Sequence, residues 1–307
     1  MGGASFDPGH WKTYSTAKVA GKPTAAVFTA RAIKESLDPL KMKNMMRESC
    51  DDDVCPKSTA LIVALDQTGS MGMIPDYMIR EGFPTLFKEI YDRKPIEGVQ
   101  IAFMGIGDAD CDRESVIQFS QFESGMRLAD QLTDMHLVGG GGGNRCESYT
   151  FPWYMAAMHT KIDCWEKRQK KGYLFTVGDE EPNPVLRREA IKTFVGVDPE
   201  TDFTAKQLLD MVSKNYHVFH VIVEQGAAGM IPATHRKWKE LLGQHVIMLS
   251  DYTKLSEVII STMQVIEGED KDAVSTSWSG DTSLVVRHAI KDLTTTADGS
   301  KSAVVRF

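Results

Sequence analysis

The chain has 307 residues, of which 42% are hydrophobic and 25% charged, a composition typical of a soluble globular protein. This length suffices for one large domain with extensions or for two small ones. The formal net charge of −7 argues against nucleic acid as a partner, because phosphate binding needs an excess of Lys and Arg on one surface. No apolar run approaches the roughly 18 residues that span a bilayer, and residues 1–30 lack the apolar core of a signal peptide. We therefore expect a cytoplasmic protein with no membrane partner.

The chain begins with an extension over residues 1–57, which shows no strong alternation of apolar and polar residues. One helical pattern covers residues 30–46 and is interrupted by Pro39, which cannot donate a backbone hydrogen bond. We expect this extension to pack on the main domain.

From Thr59 onward, short apolar runs alternate with amphipathic segments. The runs are 59–65, 99–106, 115–119, 173–177, 217–223 and 245–249. Near-continuous hydrophobicity of this kind indicates parallel strands buried on both faces. Apolar residues at helical spacing in 79–90 and 255–266 indicate helices that cover the sheet. The predicted fold class is α/β, with a Rossmann-like, doubly wound, mostly parallel central sheet flanked by helices over residues 58–268.

The remainder, residues 269–307, forms a Ser- and Thr-rich tail with two short apolar stretches. These stretches, 284–286 and 303–305, are possible strands. The tail offers few apolar residues, so we expect its deletion to cost little stability.

Three polar loops follow predicted strands and should meet at one edge of the sheet, where open α/β folds bind their ligands. The first contains Asp66, Thr68 and Ser70, the second runs over 139–149, and the third over 178–182. Alternate side chains of an extended segment share a face, so the two hydroxyls can point the same way. Hydroxyl and carboxylate oxygens are suitable ligands for a hard divalent cation. The pattern predicts a Mg²⁺ or Mn²⁺ site.

The motif Asp66-x-Thr68-x-Ser70-Met-Gly after a strand, then a glycine-rich loop, then a strand ending near an Asp resembles the metal-ion-dependent adhesion site of von Willebrand factor type A domains. The resemblance covers residues 57–268 and implies a Rossmann-like fold. The stretches VALDQTGSMG, QFES, GGGGGN and GYLFTVGDE resemble an uncharacterised bacterial and phage branch of that family.

The first and third loops match the family motif residue by residue. Asp66, Thr68 and Ser70 stand at its first-loop positions, with Thr68 where Ser is commoner. Asp179 matches the third-loop aspartate, although this chain reads Thr176-Val177-Gly178-Asp179 where many members have the Asp directly after the Thr.

The second loop departs most from the family, which usually offers a Thr there. The candidate ligands in this chain are Asn144, Glu147 and Ser148, and the sequence leaves open which of them contacts the ion. A Glu ligand would lower the positive charge of the site. We favour a capping or indirect role for Glu147, at the start of the next helix.

The resemblance implies a non-catalytic module that binds a protein partner through a metal ion, with the partner supplying an Asp or Glu carboxylate. Intracellular members of the wider family often work with MoxR-type AAA+ ATPases as adaptors or assembly factors. An alternative is a structural or virion assembly component whose ion only stabilises its own fold. A further alternative is a metal-dependent phosphohydrolase with Asp66 as nucleophile, but such enzymes carry a second Asp where this chain has Thr68.

Overall fold

The computed structural model describes residues 7–69, 71–112, 115–137, 139 and 146–294. Its central sheet has six strands: β1 (Thr59–Asp66), β2 (Val99–Ile106), β3 (Ile117–Phe119), β4 (Gly172–Gly178), β5 (Tyr216–Val223) and β6 (Val246–Leu249). The spatial order is β6-β5-β4-β1-β2-β3, and every neighbouring pair is parallel except β2 and β3. This arrangement confirms the predicted fold class, and its order is that of a doubly wound Rossmann sheet.

Helices connect the strands and cover both faces of the sheet. Their bounds are α1 (Pro8–Lys18), α2 (Thr24–Val27), α3 (Met73–Tyr77), α4 (Phe83–Arg93), α5 (Arg127–Thr133), α6 (Thr150–Met158), α7 (Asp163–Arg168), α8 (Arg188–Val195), α9 (Ala205–Val212), α10 (Pro232–Leu242), α11 (Leu255–Ile266), α12 (Lys271–Thr276) and α13 (Gly280–Ile290). In the described ranges, three short strand pairs lie outside the sheet: Arg47–Ser49 with Thr160–Ile162, Val185–Leu186 with Phe203–Thr204, and Cys146–Glu147 with Glu181–Pro182. Within the residues that the structure describes, no helix is long and apolar enough to cross a membrane.

The sheet separates two apolar layers because successive side chains of a strand point to opposite faces. Leu61, Val63 and Leu65 of β1 belong to one core, which also receives α4, α11 and α13. Ala60, Ile62 and the other alternate residues of β1 face a second core that contains α6 and α9. Every residue of β1 is therefore buried, which explains its continuous apolar sequence.

The predicted helix over 79–90 is present but is not regular. A wide π-helical turn, Met78–Gly82, joins α3 to α4. Pro84 occupies the first turn of α4, where a missing backbone donor does no harm. The structure thus tolerates the proline by starting a new helix just before it.

The expected helix over residues 30–46 is wrong. This segment contains two short 3₁₀ turns, Pro39–Lys41 and Lys43–Met45, before the strand Arg47–Ser49. Pro39 begins the first turn, and the side chain of Asp38 accepts a hydrogen bond from the amide of Leu40 at 2.9 Å, which stabilises a turn in place of a helix. Upstream, Val27, Phe28 and Leu37 are buried in the first core.

The tail also differs from expectation. The possible strand 284–286 lies within α13, where Leu284 is exposed while Val285 and Val286 are buried against the first core. Ala289, Ile290 and Leu293 continue this buried stripe at helical spacing, so residues up to 294 contribute to the main core. The expectation that the tail buries little is therefore wrong for this part, whereas 303–305 lie outside the described residues.

Candidate metal centre at the carboxyl edge of the sheet

The first and third loops meet where the direction of the strand order reverses. Asp66 is the last residue of β1, and Asp179 directly follows the adjacent strand β4. Both side chains are fully buried. Such a switch point is where open α/β sheets place their ligand sites.

Asp66 accepts hydrogen bonds on both carboxylate oxygens. Its Oδ1 accepts from the backbone amide of Thr68 at 2.8 Å and from the Thr68 hydroxyl at 2.6 Å. Its Oδ2 accepts from the hydroxyl of Tyr149 at 2.7 Å. Burial raises the pKa of Asp66 to about 6, against the opposing effect of these donors, and the nearby charge of Asp179 adds to the rise.

Tyr149 was not identified as a site residue from the sequence. Its hydroxyl also accepts a hydrogen bond from the amide of Glu180 at 3.3 Å, so it joins the first and third loops. A Cβ atom on Gly178 would lie 2.0 Å from the Tyr149 oxygen. Gly178 therefore makes room for the tyrosine, and a glycine directly before Asp179 was the signal that could have revealed such a contact.

A fourth loop, after β5, was likewise missed. The amide of Ala228 donates to Oδ2 of Asp179 at 2.9 Å. Gly226 lies against the same carboxylate, since a Cβ there would be 2.5 Å from its Oδ2. The third-loop aspartate is thus held from the β5 side by backbone.

The second loop is anchored to the first through two glutamines. The Gln118 side-chain amide donates to Oε1 of Gln67 at 2.7 Å and to the carbonyl of His136 at 2.9 Å. The amide of Gly139 donates to the Gln67 carbonyl at 3.4 Å. The beginning of the glycine-rich loop therefore lies beside the Asp66 loop, as expected from the topology.

The carboxyl group of Glu147 is buried among other acidic groups. The residue is 4% exposed, and its Oε2 has no hydrogen-bond partner within the described part of the chain. Burial, followed by the charges of Asp66, Asp108, Asp112 and Glu180, raises the pKa of its carboxyl to about 10. No ion pair with a Lys, Arg or His reaches Asp66 or Glu147 across the described ranges.

The favoured capping role of Glu147 is not observed. Helix α6 begins at Thr150 after Tyr149 and has no side-chain cap. The neighbouring Ser148 is also engaged elsewhere, because its Oγ accepts a hydrogen bond from the amide of Ala109 at 2.9 Å. Ser148 therefore holds the loop after β2.

The predicted ligands are only partly brought together. Asp66, Thr68, Asp179, Glu147 and Ser148 all lie at this edge, whereas Ser70 and Asn144 fall outside the described residues. Within the described ranges, no group of three or more His, Cys, Asp or Glu side chains has the geometry to hold a metal ion. The donor chemistry nevertheless suits a hard cation, because buried carboxylates and a carboxylate oxygen without a donor are groups that such an ion would stabilise.

Comparison with known proteins finds no matching family model and no matching curated protein. Among solved structures, the chain is similar to the pilus adhesin SpaC of Lactobacillus rhamnosus GG in its open conformation, with 10% identity, a TM-score of 0.46, and coverage of 75% of this chain and 31% of that one. It is similar to the proximal thread matrix protein 1 of the mussel byssus, with 10% identity, a TM-score of 0.42, and coverage of 71% and 48%. A von Willebrand factor type A protein from Catenulispora acidiphila is 12% identical, with a TM-score of 0.36 and coverage of 70% and 44%. The chain thus spans less than half the length of each of these proteins.

Proposed function

We propose that this chain is a non-catalytic protein-interaction module whose carboxyl edge binds Mg²⁺ or Mn²⁺. The observation that carries the proposal is Glu147, a buried carboxyl group with acidic neighbours and with an oxygen that no donor reaches among the residues that the structure describes. A buried carboxylate in such a place is costly unless a cation compensates it. A divalent ion would supply that compensation.

The residues that would hold the ion come from all three predicted loops. Asp66 and Asp179 would balance the charge of a divalent cation, directly or through its waters, with oxygen from Thr68 and Ser70. The second loop would contribute through Glu147, Ser148 or Asn144. When Glu147 is protonated, the bound ion keeps its attraction for an anionic oxygen from outside, because only two carboxylates then face it.

The partner in this proposal is a protein that presents an Asp or Glu carboxylate to the ion. The resemblance to von Willebrand factor type A domains supports an adaptor or assembly factor, and a MoxR-type AAA+ ATPase is the partner class it suggests. Work with such an ATPase would place the protein in the cytoplasm. This part of the proposal depends on the resemblance alone.

Affinity capture from the source lysate, with Mg²⁺ or with EDTA, tests the proposal. We expect a set of partners that is captured with Mg²⁺, lost with EDTA, and lost in Mg²⁺ when the bait carries Asp66→Asn. A bait with Asp210→Asn, an exposed change on α9, is the matched control and should retain them. Identical partners under all conditions would contradict metal-dependent binding.

A second candidate function is a structural ion in an assembly component. The near-complete burial of Asp66, Glu147 and Asp179 favours it, since three ionised carboxylates would leave the ion without positive charge for a partner. In that case Mg²⁺ should raise the melting temperature while partner capture is insensitive to EDTA. Calorimetric melting beside the capture experiment separates the two.

A further inference from the structure

A crevice lies beside this acidic edge, between the loop after β2 and helix α8. It has a volume of about 520 Å³. A narrow inner recess of about 10 Å³ shares Asp110 and Arg187 with the crevice and extends to Ser148 and Asn183. Because Ser148 directly follows Glu147 in the chain, the recess lies beside the candidate ion site.

The described walls of the crevice carry more negative than positive charge. Its described walls include the carboxylates of Asp110, Asp112 and Glu189 but a single basic group, Arg187. Arg187 stands 3.7 Å from Asp110, and the two side chains are 67% and 44% exposed, so this pair is loose and easily displaced. The crevice therefore favours a cationic group from outside.

Asn183 provides a second, independent indication of a ligand. The residue lines the inner recess and is 5% exposed, and its Oδ1 is buried with no hydrogen-bond partner in the part of the chain that the structure describes. An amide oxygen can only accept hydrogen bonds. The recess has space for about one water molecule, through which a donor in the crevice can satisfy this oxygen.

We propose that the crevice binds the guanidinium or ammonium group of a basic side chain on the partner protein. The carboxylates bind its charge, while half-buried Phe194 in the wall offers apolar surface for its aliphatic stem. Arginine fits best because its five donors can contact several acceptors at once. The expectation that this basic residue lies near the partner carboxylate bound by the ion rests on the proposed function. Binding of a basic group in the crevice does not depend on it.

An NMR titration with N-acetylarginine amide, in EDTA, tests the crevice without the ion. We expect saturable shifts of the Asn183 side-chain amide and of the Ala109 and Asp110 backbone amides. N-acetylcitrulline amide, the neutral analogue, should bind about tenfold more weakly because it lacks the charge. Binding of both probes with equal affinity, or shifts elsewhere on the protein, would overturn the proposal.

Variants sharpen this test. Asp110→Asn and Glu189→Gln should each weaken arginine binding about threefold, whereas Arg187→Gln should strengthen it by a similar factor. Asp210→Asn is the matched control and should leave it unchanged. Unchanged affinity in all three crevice variants would contradict the assignment.

A final comparison separates this inference from the proposed function. The peptide acetyl-Asp-Gly-Arg-amide should bind more tightly in Mg²⁺ than in EDTA, and more tightly than its citrulline analogue in both. If the peptide binds more tightly than its citrulline analogue but with the same affinity in Mg²⁺ and EDTA, the proposed ion contact is wrong and the crevice assignment is supported. If it responds to Mg²⁺ but not to the arginine, the crevice assignment is wrong.

Discussion

Strand β1 has an aspartate near each end, and the two are stabilised in opposite ways. Asp66 is the buried last residue of the strand, whereas the partly exposed Asp51 binds Ser58 just before its first residue. At the amino end, Asp51 receives the Arg168 guanidinium at 2.7 and 3.0 Å, together with the amide and hydroxyl of Ser58, both at 2.9 Å. The Arg168 contact holds the pKa of Asp51 well below its usual range. At the carboxyl end, the donors to Asp66 within the described ranges are all neutral, and burial raises the pKa of Asp66.

The difference lies in the counter-charge: the chain supplies a cation at the amino end of β1, whereas the carboxyl end needs one from outside. The amino end brings its own cation from α7, so its charges are balanced within the chain. The carboxyl end gathers carboxyl groups around Glu147, and no cation is paired with Asp66 or Glu147 among the described residues. We therefore expect an external ion to act at one end only.

The largest expected effect is on ion binding. Asp66→Asn should weaken Mg²⁺ and Mn²⁺ binding by about 100-fold or more, because the change removes a charged oxygen at the centre of the site. Asp51→Asn should leave ion affinity unchanged. Isothermal titration calorimetry measures both, and equal affinities in the two variants would mean that the ion binds elsewhere or not at all.

Without the ion, the substitution at Asp51 should lower the free energy of unfolding more than the substitution at Asp66. In EDTA, Asp51→Asn should lower the free energy of unfolding by about 2 kcal/mol, since Arg168 loses its charged partner. Asp66→Asn should cost less, or even stabilise, because it removes a buried charge. Urea unfolding of both variants provides the measurement, and a larger loss for Asp66→Asn would contradict the comparison.

The pH dependence should also differ between the ends. A raised pKa means that folded Glu147 holds a proton that the unfolded chain releases above about pH 4.3, so in EDTA stability should fall as pH rises from about 5 to 8. The slope from this residue is at most about 1.4 kcal/mol per pH unit. The contribution of Asp66 also makes stability fall as the pH rises, up to about pH 6. The contribution of Asp51 has the opposite sign. Because its pKa is lowered in the folded protein, stability falls only as the pH drops below about 4.

Thermal melting across this pH range, with and without Mg²⁺, provides the check. Glu147→Gln should remove most of the slope in EDTA, and Mg²⁺ should flatten it in the unaltered protein by favouring the ionised carboxyls. A slope that persists in Glu147→Gln would assign it to other groups.

The smallest expected effect concerns Ser148. Ser148→Ala should lower the free energy of unfolding by about 1 kcal/mol, since the amide of Ala109 loses its acceptor. Ion affinity should change less than about threefold, because this hydroxyl is engaged with the loop after β2. A large loss of Mg²⁺ affinity would instead show that the hydroxyl turns toward the ion.

The sequence by itself was sufficient for the sheet and for the position of its acidic edge. The runs that became β1 and β2 are apolar except for Thr59 and Gln100 because both faces of the sheet are covered, and this pattern is local. The placement of Asp66 and Asp179 at one edge followed from strand direction. The sequence was less informative about the tail, where Val285 and Val286 fit either a strand or one stripe of a helix.

Only the tertiary structure decided how the acidic edge is built. Tyr149 reaches Asp66 and the backbone at Gly178, residues far from it in the chain, and no local periodicity encodes such a contact. The environment of Glu147 likewise depends on burial and on charges contributed by separate loops, which act through space. The sequence therefore predicted that Asp66 and Asp179 lie at one edge, whereas the packing of distant loops left Asp66 and Glu147 without an ion pair in the part of the chain that the structure describes.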